Sequence, residues 1–217
     1  MFVEVLLLLA VFTVSTVAQY IGFDQLAPFF QAFEWKRKNE WIGRINGSLA
    51  QIGIVLFALI SGSTTRWAVA LILAYFLHDG AHCALYDHDI TNYTHHIVGF
   101  ILTLLRQTVM TPEQSYSTFV AAVSLESTSP FVNGTWLMRA AGYKDHPAFK
   151  YVAGFTLLFF GIMRLAVFPW LMSQHMDKVT ASVFSPLLGL NVYWFYKMCR
   201  MAQKAFASTN AGDDRRE

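Results

Sequence analysis

Two adjacent histidines, His95 and His96, stand in an apolar run. Two acids, Asp79 and Glu126, lie in other apolar runs at heights that chain direction makes comparable. A neutral imidazole can take an acyl group or act as a general base, and a neighbouring carboxylate orients it and stabilises the cation that forms. Adjacent helical residues point about 100° apart, so one ring faces any cavity while the other packs against it or tunes it. The spacing alone does not choose between them. His95, His96, Asp79 and Glu126 are therefore the candidate catalytic set. His78, His82, Asn133, Arg164 and Asn191 are further polar residues in or beside the apolar runs and form the candidate substrate-binding set. His78 and His82 are four apart and share a helix face. An ionisable group inside a membrane span is costly unless paired or hydrated. The plainer reading is thus a set of interhelical hydrogen bonds, with Arg164 paired to a carboxylate, Asp79 before Glu126.

Metal chemistry fits less well. His78-Asp79-Gly80-Ala81-His82 matches the HxxxH box of membrane di-iron enzymes, but the accompanying HxxHH box fails because Asn92 stands where its first histidine belongs. Such enzymes need about eight histidines; this chain has 7, of which His146 and His175 are isolated. A lone zinc on His78, His82 and a carboxylate is a weaker alternative. Cys83 and Cys199 lie far apart within apolar segments, which argues against a disulfide framework or a cysteine-based zinc site. No bound metal and no resident cofactor is expected.

The elements that must position these groups are membrane helices. The chain of 217 residues is 55% hydrophobic and only 14% charged, too little polar surface for a soluble domain of this size. A net charge of +2, with no basic stretch interleaved with aromatics, excludes nucleic acid as a partner. Apolar runs of the length a bilayer requires fall at Phe2–Ile21, Gly43–Ile60, Trp67–Tyr86, His95–Met110, Tyr116–Val132, Phe149–Met172 and Val179–Met201. The expected fold is an all-α, polytopic transmembrane bundle of about seven spans; the second, fourth and fifth are the weakest, so six is the alternative. Small residues Ser15-Thr16-Val17-Ala18 resemble a signal-peptide cleavage point. The preceding segment carries Glu4 and no Lys or Arg, however, so an uncleaved span is expected. Of the 16 Lys and Arg, all but Arg66, Arg106, Lys178 and the in-span Arg164 fall on one side of such a bundle. That side is cytosolic, with the C-terminus, and the N-terminus is lumenal or extracellular. The sequons at Asn46, Asn92 and Asn133 then lie on the cytosolic half and stay unmodified. Residues 1–34 read as an anchor and loop, 35–205 as the main membrane domain, and 206–217 as a disordered polar tail.

With these elements in place, several segments are similar to those of the TLC-domain family. Glu40-Trp41, Arg44 and Ser48 resemble its opening, Ala74-Tyr75-Phe76-Leu77-His78-Asp79 its aromatic-then-aspartate segment, and His95-His96 its histidine pair. The stretch from Leu125 to Asn133 followed by Trp136 is the closest match; Phe159-Phe160, Arg164, Pro169 and the segment Leu190–Phe195 follow in order. The family includes ceramide synthases, TRAM proteins and small TLC-domain proteins. The resemblance implies six helices around a lipid cavity open to the cytosolic leaflet, membrane lipids as partners and acyl-CoA as co-substrate. By position, the acyl-transfer role of the ceramide synthase histidines falls on His95 and His96. The acidic stretch that follows the pair in those enzymes is missing, since residues 111–129 hold only Glu113 and Glu126, and Ala50 replaces a histidine of the second span.

The expected function is therefore lipid homeostasis by acyl transfer from acyl-CoA to a lipid amine or hydroxyl. The alternative is a non-catalytic lipid-binding, sensing or cargo-escort membrane protein. The endoplasmic reticulum is the expected location and the plasma membrane the alternative; the oligomeric state is left open.

Overall fold

The computed structural model describes residues 1–61, 66–87, 90–108, 111–176 and 178–213. These are helical almost throughout, and no strand occurs among the described residues. Helix α1 (Phe2–Leu26) leads through a single turn, α2 (Pro28–Gln31), into α3 (Trp35–Ser61). Helix α4 (Arg66–His82) continues into a π-helical stretch, Cys83–Asp87, and α5 spans Ile90–Thr108. Helices α6 (Pro112–Glu126) and α7 (Ser129–Ala140) follow one another with a break at Ser127-Thr128. Helix α8 (Pro147–Phe160), a second π stretch (Gly161–Val167) and α9 (Phe168–His175) run on as one rod, and α10 covers Lys178–Asp213. His88 lies outside the described residues.

Among the described residues, four stretches are long and apolar enough to cross a membrane: Phe2–Leu26, Trp35–Ile60, Trp67–Tyr86 and Pro147–Gln174. The other expected spans correspond to α5, to α6 with the start of α7, and to α10, which carry more polar residues. Two boundaries differ in a way that matters. Helix α3 starts at Trp35 rather than Gly43, so Lys36, Arg37 and Lys38 form its first turns. Helix α5 starts at Ile90, which puts His95-His96 more than a turn inside it rather than at its opening.

Local chemistry sets the helix ends. Helix α6 opens with Pro112 behind a reciprocal cap: the Gln114 backbone N–H donates to Thr111 Oγ1 (3.3 Å) and the Thr111 N–H to Gln114 Oε1 (3.0 Å). Helix α7 stops at Ala140, and the chain turns away at Gly142, whose φ of 88° is the left-handed geometry glycine tolerates. His146 caps α8 by accepting the Ala148 N–H on Nδ1 (3.2 Å), a structural task that accounts for one of the isolated histidines.

Burial distinguishes the roles of the helices. Helix α1 keeps Leu6, Leu7, Val11 and Val14 exposed, the surface a lipid-facing helix presents. Its inner edge is a polar ladder: Gln19 and Ser15 donate to Asn46 Oδ1 (2.6 and 3.0 Å), and Asn46 donates to Thr16 Oγ1 (2.7 Å). Helix α4 is the central strut. Every residue from Ala68 to Phe76 is buried, and α1, α3 and α5 pack around it. At Gly99 of α5 a Cβ would overlap the Phe76 ring, so glycine is what lets α4 and α5 approach. That approach brings Asp79 level with His96.

Candidate functional site

The histidine pair of α5 reaches two different helices. His96 Nε2 lies 2.9 Å from Asp79 Oδ2 on α4, and His95 Nε2 lies 3.4 Å from Glu126 Oε1 at the end of α6. The angular step between neighbouring helical residues is what sends the two rings to opposite partners. All four side chains are largely withdrawn from the surface: His95, His96 and Glu126 are buried and Asp79 is half-buried. With Nε2–H donating to a carboxylate, the lone pair of each neutral ring sits on Nδ1, the atom that would act as base or nucleophile.

A bridge that sequence reading missed ties the two pairs together. Gln51 of α3, 4% exposed, donates through Nε2 to Glu126 Oε2 (3.0 Å) and to the Tyr75 hydroxyl (2.7 Å). The Tyr75 ring in turn meets His96 edge-on at 5.7 Å. Trp194 is the second addition: its ring stands against His95 at 5.6 Å while its Nε1–H donates to Thr91 Oγ1 (3.2 Å). Gln51 is, with Asn46, one of two amides within the apolar run of α3, and Trp194 lies in the last family-like segment, so both signals were present in the sequence.

Arg164 corrects an expectation. It is buried at 3% exposure, yet it forms no ion pair with Asp79 or Glu126. Its guanidinium donates instead to the Leu125 carbonyl (2.8 Å), Thr128 Oγ1 (2.7 Å), Ser129 Oγ (2.7 Å) and Asn191 Oδ1 (3.0 Å). Helix α6 ends at Glu126, and its last carbonyls carry the negative end of the helix dipole. A cation placed there satisfies those orphan acceptors and holds the break between α6 and α7. The Phe160 and Trp194 rings flank it at 4.8 and 5.8 Å.

The remaining candidates divide. Asn191 joins the Arg164 cluster. Asn133 contacts α3, accepting from Arg44 Nη1 (3.1 Å) and donating to Ser48 Oγ (3.1 Å). Both Asn133 and Asp79 face Gly47, where a Cβ would lie 3.8 Å from each. His78 is turned away from the pair. Its Nε2 lies 3.4 Å from Thr16 Oγ1 of α1, and its ring is 5.4 Å from Phe12. His82 packs on Tyr86 (4.9 Å) and against Gly43. His78 and His82 thus meet different neighbours although they are four residues apart.

Space at the site is small. A void of about 30 Å³ lies beside His95 and Glu126, walled by Phe76, Gly99, Phe119 and Leu187. That is room for water and not for a lipid chain. A larger hollow of about 350 Å³ lies elsewhere, lined by Glu34, Lys36, Arg37, Glu40, Trp136, Arg139 and Ala140.

Fold and site together define a helical membrane protein with a buried histidine–carboxylate centre. The family model described as the TLC domain matches residues 59–200, and the chain belongs to the TLC-domain family. The match begins near the end of α3, so Glu40, Arg44 and Ser48 lie outside it. Comparisons with curated proteins and with solved structures returned no match.

Proposed function

We propose that this membrane protein acts in lipid homeostasis by moving an acyl group from acyl-CoA to a lipid amine or hydroxyl, with His95 as the reacting imidazole. The observation that carries this reading is the His95–Glu126 pair beside the void, with Gln51 holding the other carboxylate oxygen. In the first step His95 Nδ1 attacks the thioester carbonyl, the C–S bond breaks, and CoA leaves as thiolate and takes up a proton. The ring then bears the acyl group, and Glu126 stabilises the positive charge at Nε2–H. In the second step the acceptor amine or hydroxyl attacks the acyl carbon and gives up its proton, and the Nδ1–acyl bond breaks. His96 and Asp79 hold α4 and α5 together beneath the pair. Access for the chain requires α5, α6 and α10, which wall the void, to part.

The protein is placed in the endoplasmic reticulum membrane with its N-terminus lumenal and its basic face cytosolic. Lys36, Arg37 and Arg139 lining one hollow support a common side for them. The second reading, a lipid-binding, sensing or escort protein without chemistry, is favoured by the tight packing around the void.

Intact-mass measurement separates the two. Purified protein incubated with long-chain acyl-CoA should gain one acyl mass, and His95→Ala should not. Wild type that binds acyl-CoA yet never gains mass or releases free CoA thiol would leave only the binding reading.

A further inference from the structure

Cys83 plays no part in the reaction above, yet it is buried next to that site. It follows Asp79 by four residues, at the point where α4 passes into its π stretch. Together with His96 from α5 it completes a group of three different donors, a carboxylate oxygen, a thiol sulfur and a ring nitrogen, all within 4.8 Å of one another. Cys83 and His96 are buried and Asp79 is half-buried.

We propose that Asp79, Cys83 and His96 bind a divalent transition metal of the zinc class, with the fourth position open. The donor set suits a borderline-soft ion, since thiolate, imidazole and carboxylate are the ligands zinc takes. Ligands about 2.0–2.3 Å from a tetrahedral ion sit roughly 3.3–3.8 Å from one another, so an ion would open the 2.9 Å His96–Asp79 contact slightly and take in the Cys83 sulfur, which lies no more than 4.8 Å from either. Charge favours it as well. One aspartate, one thiolate and a neutral imidazole carry two negative charges, so a divalent ion makes the group neutral where charge is costly. On binding, the Cys83 thiol loses its proton to solvent, and the proton on the ligating His96 nitrogen passes to the other ring nitrogen, leaving the ring neutral. Counting cysteines in the sequence cannot find this arrangement, because one thiol is shared with two non-cysteine ligands from two helices.

The site would fix α4 to α5 beside the acyl-transfer pair and leaves His95 and Glu126 unliganded. Its test is independent of that chemistry. Full-length protein carrying Cys199→Ser, purified metal-free in detergent, is titrated with cobalt(II) and separately with zinc(II). The expected result is one ion per chain, with a near-ultraviolet thiolate-to-cobalt absorption band that Cys83→Ser abolishes. Asp79→Asn should weaken binding on the order of 10-fold or more. The melting temperature of the metal-free Cys83→Ser protein, measured alongside, should match its parent and excludes unfolding as the cause. Cobalt spectra without the thiolate band, or zinc stoichiometry unchanged in Cys83→Ser, would overturn the proposal. Acylation of His95 in metal-free protein would leave the functional reading standing in either case.

Discussion

Arg164 donates to the backbone carbonyl of Leu125 at 2.8 Å, so a guanidinium from one helical rod closes the C-terminus of another. The side chain thereby satisfies the helix end whose last residue, Glu126, orients His95.

Removing that brace should cost stability before chemistry. Arg164→Ala leaves the Leu125 carbonyl, Thr128, Ser129 and Asn191 without their donor. The expected loss is about 3 kcal/mol, from acceptors left unsatisfied in a buried site. Arg164→Lys cannot reach four acceptors from one nitrogen and should recover only part of it. Thermal unfolding in detergent, followed by loss of monodisperse protein, measures both.

The two histidines should differ. His95→Ala should abolish the acyl adduct, since it removes the ring that is acylated. His96→Ala should lower the melting temperature and reduce the adduct less, since its Asp79 contact joins α4 to α5. Equal and total loss in both variants, with unchanged melting curves, would contradict this division. In cells, the His95/His96 double alanine variant should lose any lipid change that expression of the wild type causes.

A tight crossing predicts a size limit at one position. Gly99→Ala should destabilise by about 1–3 kcal/mol, because the added methyl meets the Phe76 ring. Phe76→Leu should relieve part of that loss when combined with it, and a double-mutant cycle on the melting data reads the coupling.

Topology can be checked without touching the site. The sequons at Asn46, Asn92 and Asn133 all fall on the cytosolic half of the proposed topology, out of reach of the lumenal glycosyltransferase. Glycosidase treatment should leave electrophoretic mobility unchanged. A tag before Met1 should be protected from protease in sealed microsomes, while one in the Tyr143–His146 turn should be cut.

The length of the apolar runs made the helices legible, and chain direction made it legible that His95, His96, Asp79 and Glu126 converge. Partner choice was harder. Arg164 was expected on an acid because pairing rules count charges, whereas here a helix terminus supplies the acceptors. Gln51 and Trp194 escaped because a single amide or indole in an apolar run reads as packing until the opposite helix is in place. The i,i+4 spacing of His78 and His82 did not show that their neighbours differ, Thr16 of α1 for the first and Tyr86 with Gly43 for the second.

The π stretches at Cys83–Asp87 and Gly161–Val167 have a consequence for how this chain lines up with others. A π turn closes with a hydrogen bond one residue longer than an α turn, so each stretch amounts to an extra residue absorbed without a loop. A homologue with a regular helix at either place is shorter there, and the correct alignment opens a one-residue gap in the middle of the rod, beside Cys83 or Arg164. If that gap is left out, every later position of the helix is compared with one about 100° around the axis, and lipid-facing residues are scored against core.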